Sequence, residues 1–235
     1  FSLLAALQRR LSPDKAYFVT EGKPVQRLEL LPEYKGTRKH EKDEIFSRQR
    51  RLIINMVEEL FPIVTANHPH QECDDVIAHL AKKHTDAGDE VIVVSTDTDF
   101  LQLANSLPGY QQYNPIRKTF VDLPDHDYVA WKALVGDSSD NIIGFRGIGN
   151  KRALSMLSDP RKLDSFLTPE GYREKWELNK KLISFIDISK EENMITFKQS
   201  NPKWNKIYDA FREMGFKSIV SEKGWLNFVS AFEGS

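Results

Sequence analysis

The chain has 235 residues, with 33 basic and 34 acidic side chains that leave a formal net charge of −1. This length suits one compact domain, or a domain with an appendage. No apolar run is long enough to span a membrane. The apolar run Phe1–Leu7 is followed by basic residues, whereas a signal peptide carries its basic residues before its apolar run. The single cysteine, Cys73, excludes an intramolecular disulfide and favours a reducing compartment, so we expect a cytoplasmic protein.

The first half of the chain predicts alternating helices and strands. Leucines at helical spacing predict a helix over 2–11, and 16–19 reads as a buried strand. Residues 21–40 lack a clean period and are predicted to be a loop. An amphipathic helix over 41–60 is expected to lead into a strand over 61–65.

The same alternation continues to about residue 125, beyond which the pattern is wholly helical. We predict a helix over 72–85, a strand over 91–95, a helix that begins near 101 and a strand pair over 110–113 and 119–121. This order predicts an α/β fold with a central, mostly parallel sheet and helices on both faces. The predicted division is an α/β core over 1–125 and a helical region over 126–235.

Acidic residues concentrate where the predicted parallel strands end, which is where open sheets place their sites. A single aspartate there is explained as a helix cap, and each cluster alone as a solvated surface. Several carboxylates held together repel one another unless a cation neutralises them. Oxygen ligands without nearby His or Cys favour Mg²⁺ or Mn²⁺ over zinc, and two such ions are a known device for phosphodiester hydrolysis. The candidate ligands are Glu72, Asp74, Asp75, Asp97, Asp99, Asp137 and Asp140.

A Gly-x-Gly turn before a basic helix indicates phosphate binding. Gly147 and Gly149 let the backbone approach a phosphate closely, and Lys151 and Arg152 follow at once. Gly-Ile-Gly alone is a weak signal, since it also suits a plain connector between helices. Its position beside Asp137 and Asp140 makes the combination more specific.

Taken together, four stretches resemble the flap endonuclease and 5′-3′ exonuclease family, especially its bacteriophage members and the 5′ nuclease domain of bacterial DNA polymerase I. They are 27–38 (RLELLPEYKGTR), 72–75 (ECDD), 95–103 (STDTDFLQL) and 136–153 (GDSSDNIIGFRGIGNKRA). Their order and approximate separations also match the family, and the resemblance weakens past residue 160. It implies a PIN-like 5′ nuclease core and a helical C-terminal region with a helix–hairpin–helix-like motif over 136–155.

The resemblance also implies a role for each matching residue. Lys35 and Arg38 would contact the scissile phosphate and Tyr34 would stack on a base, in a gateway or arch over about 33–60. The seven acids would hold two Mg²⁺ or Mn²⁺ ions. Duplex DNA would be held by Arg27, Gly147, Gly149, Lys151 and Arg152, with K⁺ at the motif. The implied partner is flapped, nicked or RNA-primed DNA, bound by a monomer in a bacterial or phage-infected cytoplasm.

Two departures from the family pattern leave alternatives open. The family's first strand, which ends in an aspartate, has no counterpart here, so we expect such a strand before Phe1. Thr20, with Glu21 beside it, stands where the family has its second aspartate. The leading interpretation is a structure-specific 5′ nuclease. The others are a junction-binding homologue that has lost catalysis, and a ribonuclease with a related core.

Overall fold

A computed structural model describes residues 1–36 and 44–233. The helices are α1 (Ser2–Leu11), α2 (Val25–Leu30), α3 (Glu44–Leu60), α4 (Cys73–Asp86), α5 (Tyr128–Val135), α6 (Asn150–Leu157), α7 (Pro160–Phe166), α8 (Tyr172–Ile183), α9 (Trp204–Glu213), α10 (Lys217–Val220) and α11 (Glu222–Glu233). The strands are β1 (Tyr17–Thr20), β2 (Val64–Asn67), β3 (Ile92–Val94), β4 (Gln111–Asn114), β5 (Thr119–Phe120), β6 (Gly136–Asp137), β7 (Ile142–Ile143) and β8 (Thr196–Lys198). Two 3₁₀ helices cover Thr98–Asn105 and Ser189–Met194. Among the helices described, none combines the length and apolar character that crossing a membrane requires.

The described chain forms two compact units that interleave along the sequence. The first contains residues 1–21, 44–69 and 193–233. The second contains residues 22–36 and 70–192. The division near residue 125 that the sequence suggests stays a prediction.

The first unit is built on a three-stranded sheet in the order β1-β2-β8. Strand β2 pairs parallel with β1, placing Thr20 opposite Asn67, and antiparallel with β8. Its core is aromatic: Phe61, Phe211 and Phe228 are buried together, and the ring centroids of Phe211 and Phe228 lie 5.4 Å apart. Burial of such large rings stabilises this small unit.

The second unit contains the sheet β3-β4-β5 and the hairpin β6-β7. Strand β4 pairs parallel with β3 and antiparallel with β5. One apolar cluster lies around Leu134 and Ala153, where α5, α6 and α8 pack, and a second surrounds Phe100. Every acid predicted from the sequence to hold a metal belongs to this unit.

The α/β class and the parallel pairing are confirmed, but the parallel strands belong to two sheets rather than one. Strand β2 is the middle strand of one sheet and β4 is the middle strand of the other, so each is paired on both sides. The predicted helices over 2–11 and 72–85 and the paired strands β4 and β5 are confirmed. Strand β2 begins three residues later than the predicted 61, because Phe61 and Ile63 are buried in the core before the sheet starts.

Two predictions of local structure were wrong. Residues 25–30 form a helix within the predicted loop. This helix is too short to show a clear apolar periodicity in the sequence, and it depends on the tertiary packing of Leu28. The region beyond 125 is mostly but not wholly helical. Gly136, at φ 89°, ends α5 and opens the β6-β7 hairpin, and β8 lies further on.

Candidate metal and phosphate site

A buried arginine holds two of the predicted metal ligands. Arg27, from α2, is 3 % exposed. Its Nη1 donates to Glu72 Oε2 at 2.8 Å and to Asp75 Oδ2 at 2.5 Å, and its Nη2 donates to Asp75 Oδ1 at 2.8 Å. The carbonyls of Leu182 and Ser184 accept its remaining donors at 3.0 Å each. All five N–H groups of the guanidinium are therefore used.

This arginine network, defined as Arg27, Glu72 and Asp75, contains one cation and two acids, and Lys35 supplies a second cation at Glu72. Burial opposes the charge on Arg27, but the bond to Asp75 and its attraction raise the pKa of Arg27 above its ordinary value. Asp75 is wholly buried, and its Oδ1 also accepts from the backbone N–H of Ile186 at 2.8 Å. Both oxygens of Asp75 are thus engaged by the protein itself.

Tyr34 and Lys35 connect the network to a third acid. The Tyr34 hydroxyl lies 3.1 Å from Glu72 Oε2 and 3.0 Å from Asp140 Oδ2, so its single proton serves one carboxylate at a time. Burial and the charge on Glu72 raise the pKa of Tyr34, which keeps the phenol protonated. Lys35 Nζ pairs with Glu72 Oε1, and the backbone of Lys35 is left-handed at φ 56°.

A second group of acids is more open. Oxygens of Asp99, Asp137 and Asp140 all lie within 4.8 Å of one another. Asp99 follows β3, Asp137 belongs to β6 and Asp140 lies in the turn before β7. We call these three residues the aspartate triad.

Lys132 is the counter-charge of the triad. This lysine of α5 is 8 % exposed, and its Nζ contacts Asp99 Oδ1 and lies 2.6 Å from Asp137 Oδ2. Burial lowers the pKa of Lys132, but attraction to Asp99 and the bond to Asp137 outweigh it and raise the pKa. Burial acts against the charged form of Asp137 too, yet the bonds from Lys132 and Ser139 bring its pKa to about 2.

The donor set fits a hard divalent cation. Carboxylate oxygens are the ligands that Mg²⁺ and Mn²⁺ prefer, and Asp99 and Asp137 are only half-buried. Burial raises the pKa of Asp99, and the neighbouring acids Asp97 and Asp137 add to this effect. A single ammonium group thus balances only part of the triad's charge, and a divalent ion would balance more of it.

The glycine turn has the geometry expected for close approach to a phosphate. Gly147 has φ 77°, a conformation that glycine adopts without steric cost, and Gly149 is the residue before the first turn of α6. Lys151 and Arg152 are exposed. Arg152 Nη1 donates to the Gly147 carbonyl at 3.0 Å, which fixes its guanidinium beside the turn.

Comparison with known proteins places this chain in a family. A family model described as "5'-3' exonuclease, N-terminal resolvase-like domain" matches residues 1–127, more than half of the chain. The chain belongs to the 5′-3′ exonuclease family.

Members of this family differ greatly in total length. A 5′-3′ exonuclease of Aquifex aeolicus is 28 % identical over 221 residues, which are 84 % of this chain and 73 % of that protein. DNA polymerase I of Chloroflexus aurantiacus is 34 % identical over 180 residues, 70 % of this chain. The chain spans only 19 % of the length of that polymerase.

The fold agrees with that of a solved bacteriophage nuclease. The bacteriophage T5 flap endonuclease, solved as a complex with DNA and metal ions, superposes with a TM-score of 0.61. The match covers 99 % of this chain and 89 % of the phage protein, at 22 % identity. At this identity the likeness establishes the fold alone.

The other site residues predicted from the exonuclease family pattern differ in their burial and in their hydrogen-bond partners. Asp97 is exposed and its Oδ1 accepts from the N–H of Asp99 at 2.9 Å, which is the helix-cap arrangement. Asp74 is half-buried and accepts from Cys73 Sγ at 3.5 Å. The Tyr34 ring is 5 % exposed and packs in the core, so its hydroxyl faces acids and no ring face is open to a base. Arg38 lies outside the described residues.

Sequence reasoning missed Lys132 and misjudged the surroundings of Arg27. Lys132 stands 33 positions after Asp99, and nothing local in Trp131-Lys132-Ala133 marks it as a site residue. A lysine on an otherwise apolar helix was the available signal, since a buried amine requires a partner. Arg27 was predicted to bind DNA, whereas its guanidinium is buried among carboxylates and carbonyls.

We expect Lys132→Met to make the protein depend more strongly on divalent metal. Without the ammonium group, Asp99 and Asp137 repel each other. The free energy of unfolding of the metal-free protein should therefore fall by about 2 kcal/mol, which corresponds to a decrease of roughly 4–8 °C in Tm. A bound ion removes that repulsion, so 5 mM Mg²⁺ should raise Tm more in the variant than in the wild type. Thermal unfolding in EDTA and in Mg²⁺ measures both effects.

Lys82→Met is the matched control, because the Lys82–Asp86 pair is exposed. It should change neither the metal-free Tm nor the response to Mg²⁺. Equal Mg²⁺ responses of the wild type and Lys132→Met would contradict the assignment of Lys132 as a counter-charge that competes with metal.

Proposed function

We propose that this chain is a structure-specific 5′ nuclease that hydrolyses phosphodiester bonds in flapped, nicked or otherwise branched DNA, including RNA-primed duplexes. The observation that carries the proposal is the aspartate triad, whose three carboxylates lie within 4.8 Å of one another with one ammonium group between two of them. The glycine turn at 147–149 belongs to the same unit. Membership of the exonuclease family supports phosphodiester hydrolysis as the reaction.

The acids are proposed to hold divalent metal with Asp99, Asp137 and Asp140 as the available ligands. Asp74 and Asp97 are further candidates, whereas Glu72 and Asp75 are held by Arg27. Two Mg²⁺ or Mn²⁺ ions held by these residues would polarise the scissile phosphate and lower the pKa of an attacking water. We also propose K⁺ at the turn over 147–149 and action as a monomer.

The protein's own cations have separate roles in this account. Lys35 is 19 % exposed at its side chain and its ammonium group contacts Glu72, which holds it near the acids. A lysine so placed stabilises negative charge that develops on a phosphate during hydrolysis. Lys132 keeps the triad together before metal binds. Glu72, bonded to both Arg27 and Tyr34, is proposed to position Lys35.

A panel of labelled DNA substrates tests the proposed function. A duplex with a 5′ flap, a nicked duplex, a blunt duplex and a single strand are incubated with the chain and Mg²⁺, and the products are sized. We expect short 5′-terminal products from the flapped and nicked DNA, with much slower cleavage of the blunt duplex. Binding of the flapped DNA without any product would support the non-catalytic alternative, and cleavage of single-stranded RNA only would support a ribonuclease.

The environment of Thr20 favours retaining the non-catalytic alternative as a second candidate. Asn67 Nδ2 donates to Thr20 Oγ1 at 3.0 Å and to its carbonyl at 3.1 Å. A neutral, hydrogen-bonded pair thus ends β1 and β2 where the family pattern has an aspartate. A hydroxyl does not supply the charge that a carboxylate gives to a divalent ion.

We expect Thr20→Asp to tighten metal binding and to raise the cleavage rate about tenfold at low Mg²⁺, with little effect at saturating Mn²⁺. The added carboxylate would supply the charge that the family pattern places here. Thr20→Asn, which has a similar shape without charge, is the control. Calorimetric metal titration beside flap cleavage measures both effects, and equal behaviour of the two variants would show that Thr20 does not occupy a ligand position.

A further inference from the structure

A cationic groove lies between α6 and α7 on the C-terminal side of the glycine turn. It is an open depression of about 460 Å³ that Met156 and Phe166 also line. Arg152 from α6 lines one wall, and Arg161 and Lys162 from α7 line the other. Ser155 and Ser165 add hydroxyl groups to the walls. The groove therefore offers three cations and two hydroxyls, which are the groups that bind phosphate oxygens.

The positive charge of this groove is only weakly compensated. Asp159 Oδ1 accepts from the backbone N–H of Arg161 at 3.1 Å, and its other oxygen lies 3.9 Å from Lys162 Nζ, at the limit for an ion pair. Asp164 pairs with Arg173 at 2.9 Å instead. In the described part of the chain, no carboxylate forms an ion pair with Arg152 or Arg161. A polyanion is thus the ligand that the groove fits by charge.

Arg152 connects the groove to the glycine turn. Its guanidinium lines the groove and also donates to the Gly147 carbonyl. A strand bound at 147–149 that continued past Arg152 would enter the groove that the α7 cations line. Phosphates in one strand are evenly spaced along the backbone, so a continuous run of contacts suits a DNA backbone better than a single small anion does.

We infer that the groove between α6 and α7 binds one or two further backbone phosphates of the strand held at the glycine turn. This inference rests on the proposed function, since it extends the duplex contact of the same domain. It assigns Arg161 and Lys162, which the family motifs do not include, to the DNA-binding surface. The contact is independent of base sequence.

The test replaces both α7 cations and maps the contacted phosphates. Arg161→Gln/Lys162→Gln is compared with Lys82→Gln/Arg117→Gln, which removes the same charge from exposed positions outside the groove. The probe is a flapped duplex in which neutral methylphosphonate linkages replace phosphates one at a time. Binding is measured by fluorescence anisotropy in Ca²⁺ at several salt concentrations.

We expect the groove variant to bind about tenfold more weakly at 100 mM salt and to reduce the slope of log K against log salt by about 1 to 2. One or two methylphosphonate positions that weaken wild-type binding should have no effect in the groove variant. The control variant should keep all sensitive positions. Identical maps for the groove variant and the wild type would overturn the inference, whatever the change in overall affinity.

Cleavage of the flapped duplex separates this outcome from failure of the proposed function. At limiting enzyme, the groove variant should cleave more slowly in proportion to its weaker binding, whereas the control variant Lys82→Gln/Arg117→Gln should cleave at the wild-type rate. If the wild type cleaves the flapped duplex and the groove variant gives the same methylphosphonate map as the wild type, the groove inference is overturned and the nuclease assignment stays intact. Failure of the wild type to bind or cleave DNA would overturn both.

Discussion

Replacing Asp99 by alanine is expected to slow Mg²⁺-dependent cleavage of a 5′ flap by about 100- to 1000-fold, which corresponds to roughly 3–4 kcal/mol in activation free energy. Asp99 contributes an oxygen to the triad and contacts Lys132. Its loss would remove a proposed metal ligand and leave the Lys132 ammonium group paired with Asp137. Single-turnover cleavage with excess enzyme measures the rate without a contribution from product release.

DNA binding separates this effect from a general defect. Asp99→Ala should bind the flapped duplex as tightly as the wild type or more tightly, because one negative charge is lost near the phosphates. Asp122→Ala removes an exposed aspartate outside the triad and should leave the rate unchanged. Wild-type cleavage by Asp99→Ala would show that the triad is not the metal site.

Arg27→Ala should lower the free energy of unfolding by about 3–5 kcal/mol, because it leaves Asp75 buried without its counter-charge and Glu72 with Lys35 as its remaining cation. It also leaves the carbonyls of Leu182 and Ser184 without their donor. Such a loss is a large share of the stability of a typical domain. Urea denaturation followed by circular dichroism measures it.

The matched variant distinguishes charge burial from loss of packing. Arg27→Met with Glu72→Gln and Asp75→Asn keeps the volume and removes all three charges, so it should recover more than half of the lost stability. If Arg27→Ala unfolds at the same urea concentration as the wild type, the arginine network is not a structural element. A DNA-binding role for Arg27 alone would instead predict weaker binding with unchanged stability.

The sequence predicted the fold class and located the acids, because these depend on local patterns. Alternating apolar runs identify the helices and strands, and compact motifs such as 72–75 and 95–103 place carboxylates where elements begin or end. Amphipathic spacing also predicted α3. It did not show that Ile45 and Phe46 are largely exposed, since a periodic apolar face does not specify what covers it.

The sequence did not show which charges neutralise which acids. Arg27 meets Asp75 across 48 positions and Lys132 meets Asp99 across 33, and such pairings leave no period in the chain. An arginine in a basic segment is usually exposed, so the burial of Arg27 became visible only in the tertiary structure. The seven acids therefore looked equivalent, although Glu72 and Asp75 are bound by Arg27 and the aspartate triad is not.

The most direct measurement of the central claim is the single-turnover rate of 5′-flap cleavage as a function of Mg²⁺ concentration. If the carboxylates of the triad and its neighbours recruit two ions, the rate should rise more steeply than the first power of Mg²⁺ at low concentration and then saturate, and EDTA should abolish it. A rate that never exceeds the EDTA control at any Mg²⁺ or Mn²⁺ concentration, while the flapped DNA remains bound, would contradict the assignment of this chain as a metal-dependent nuclease.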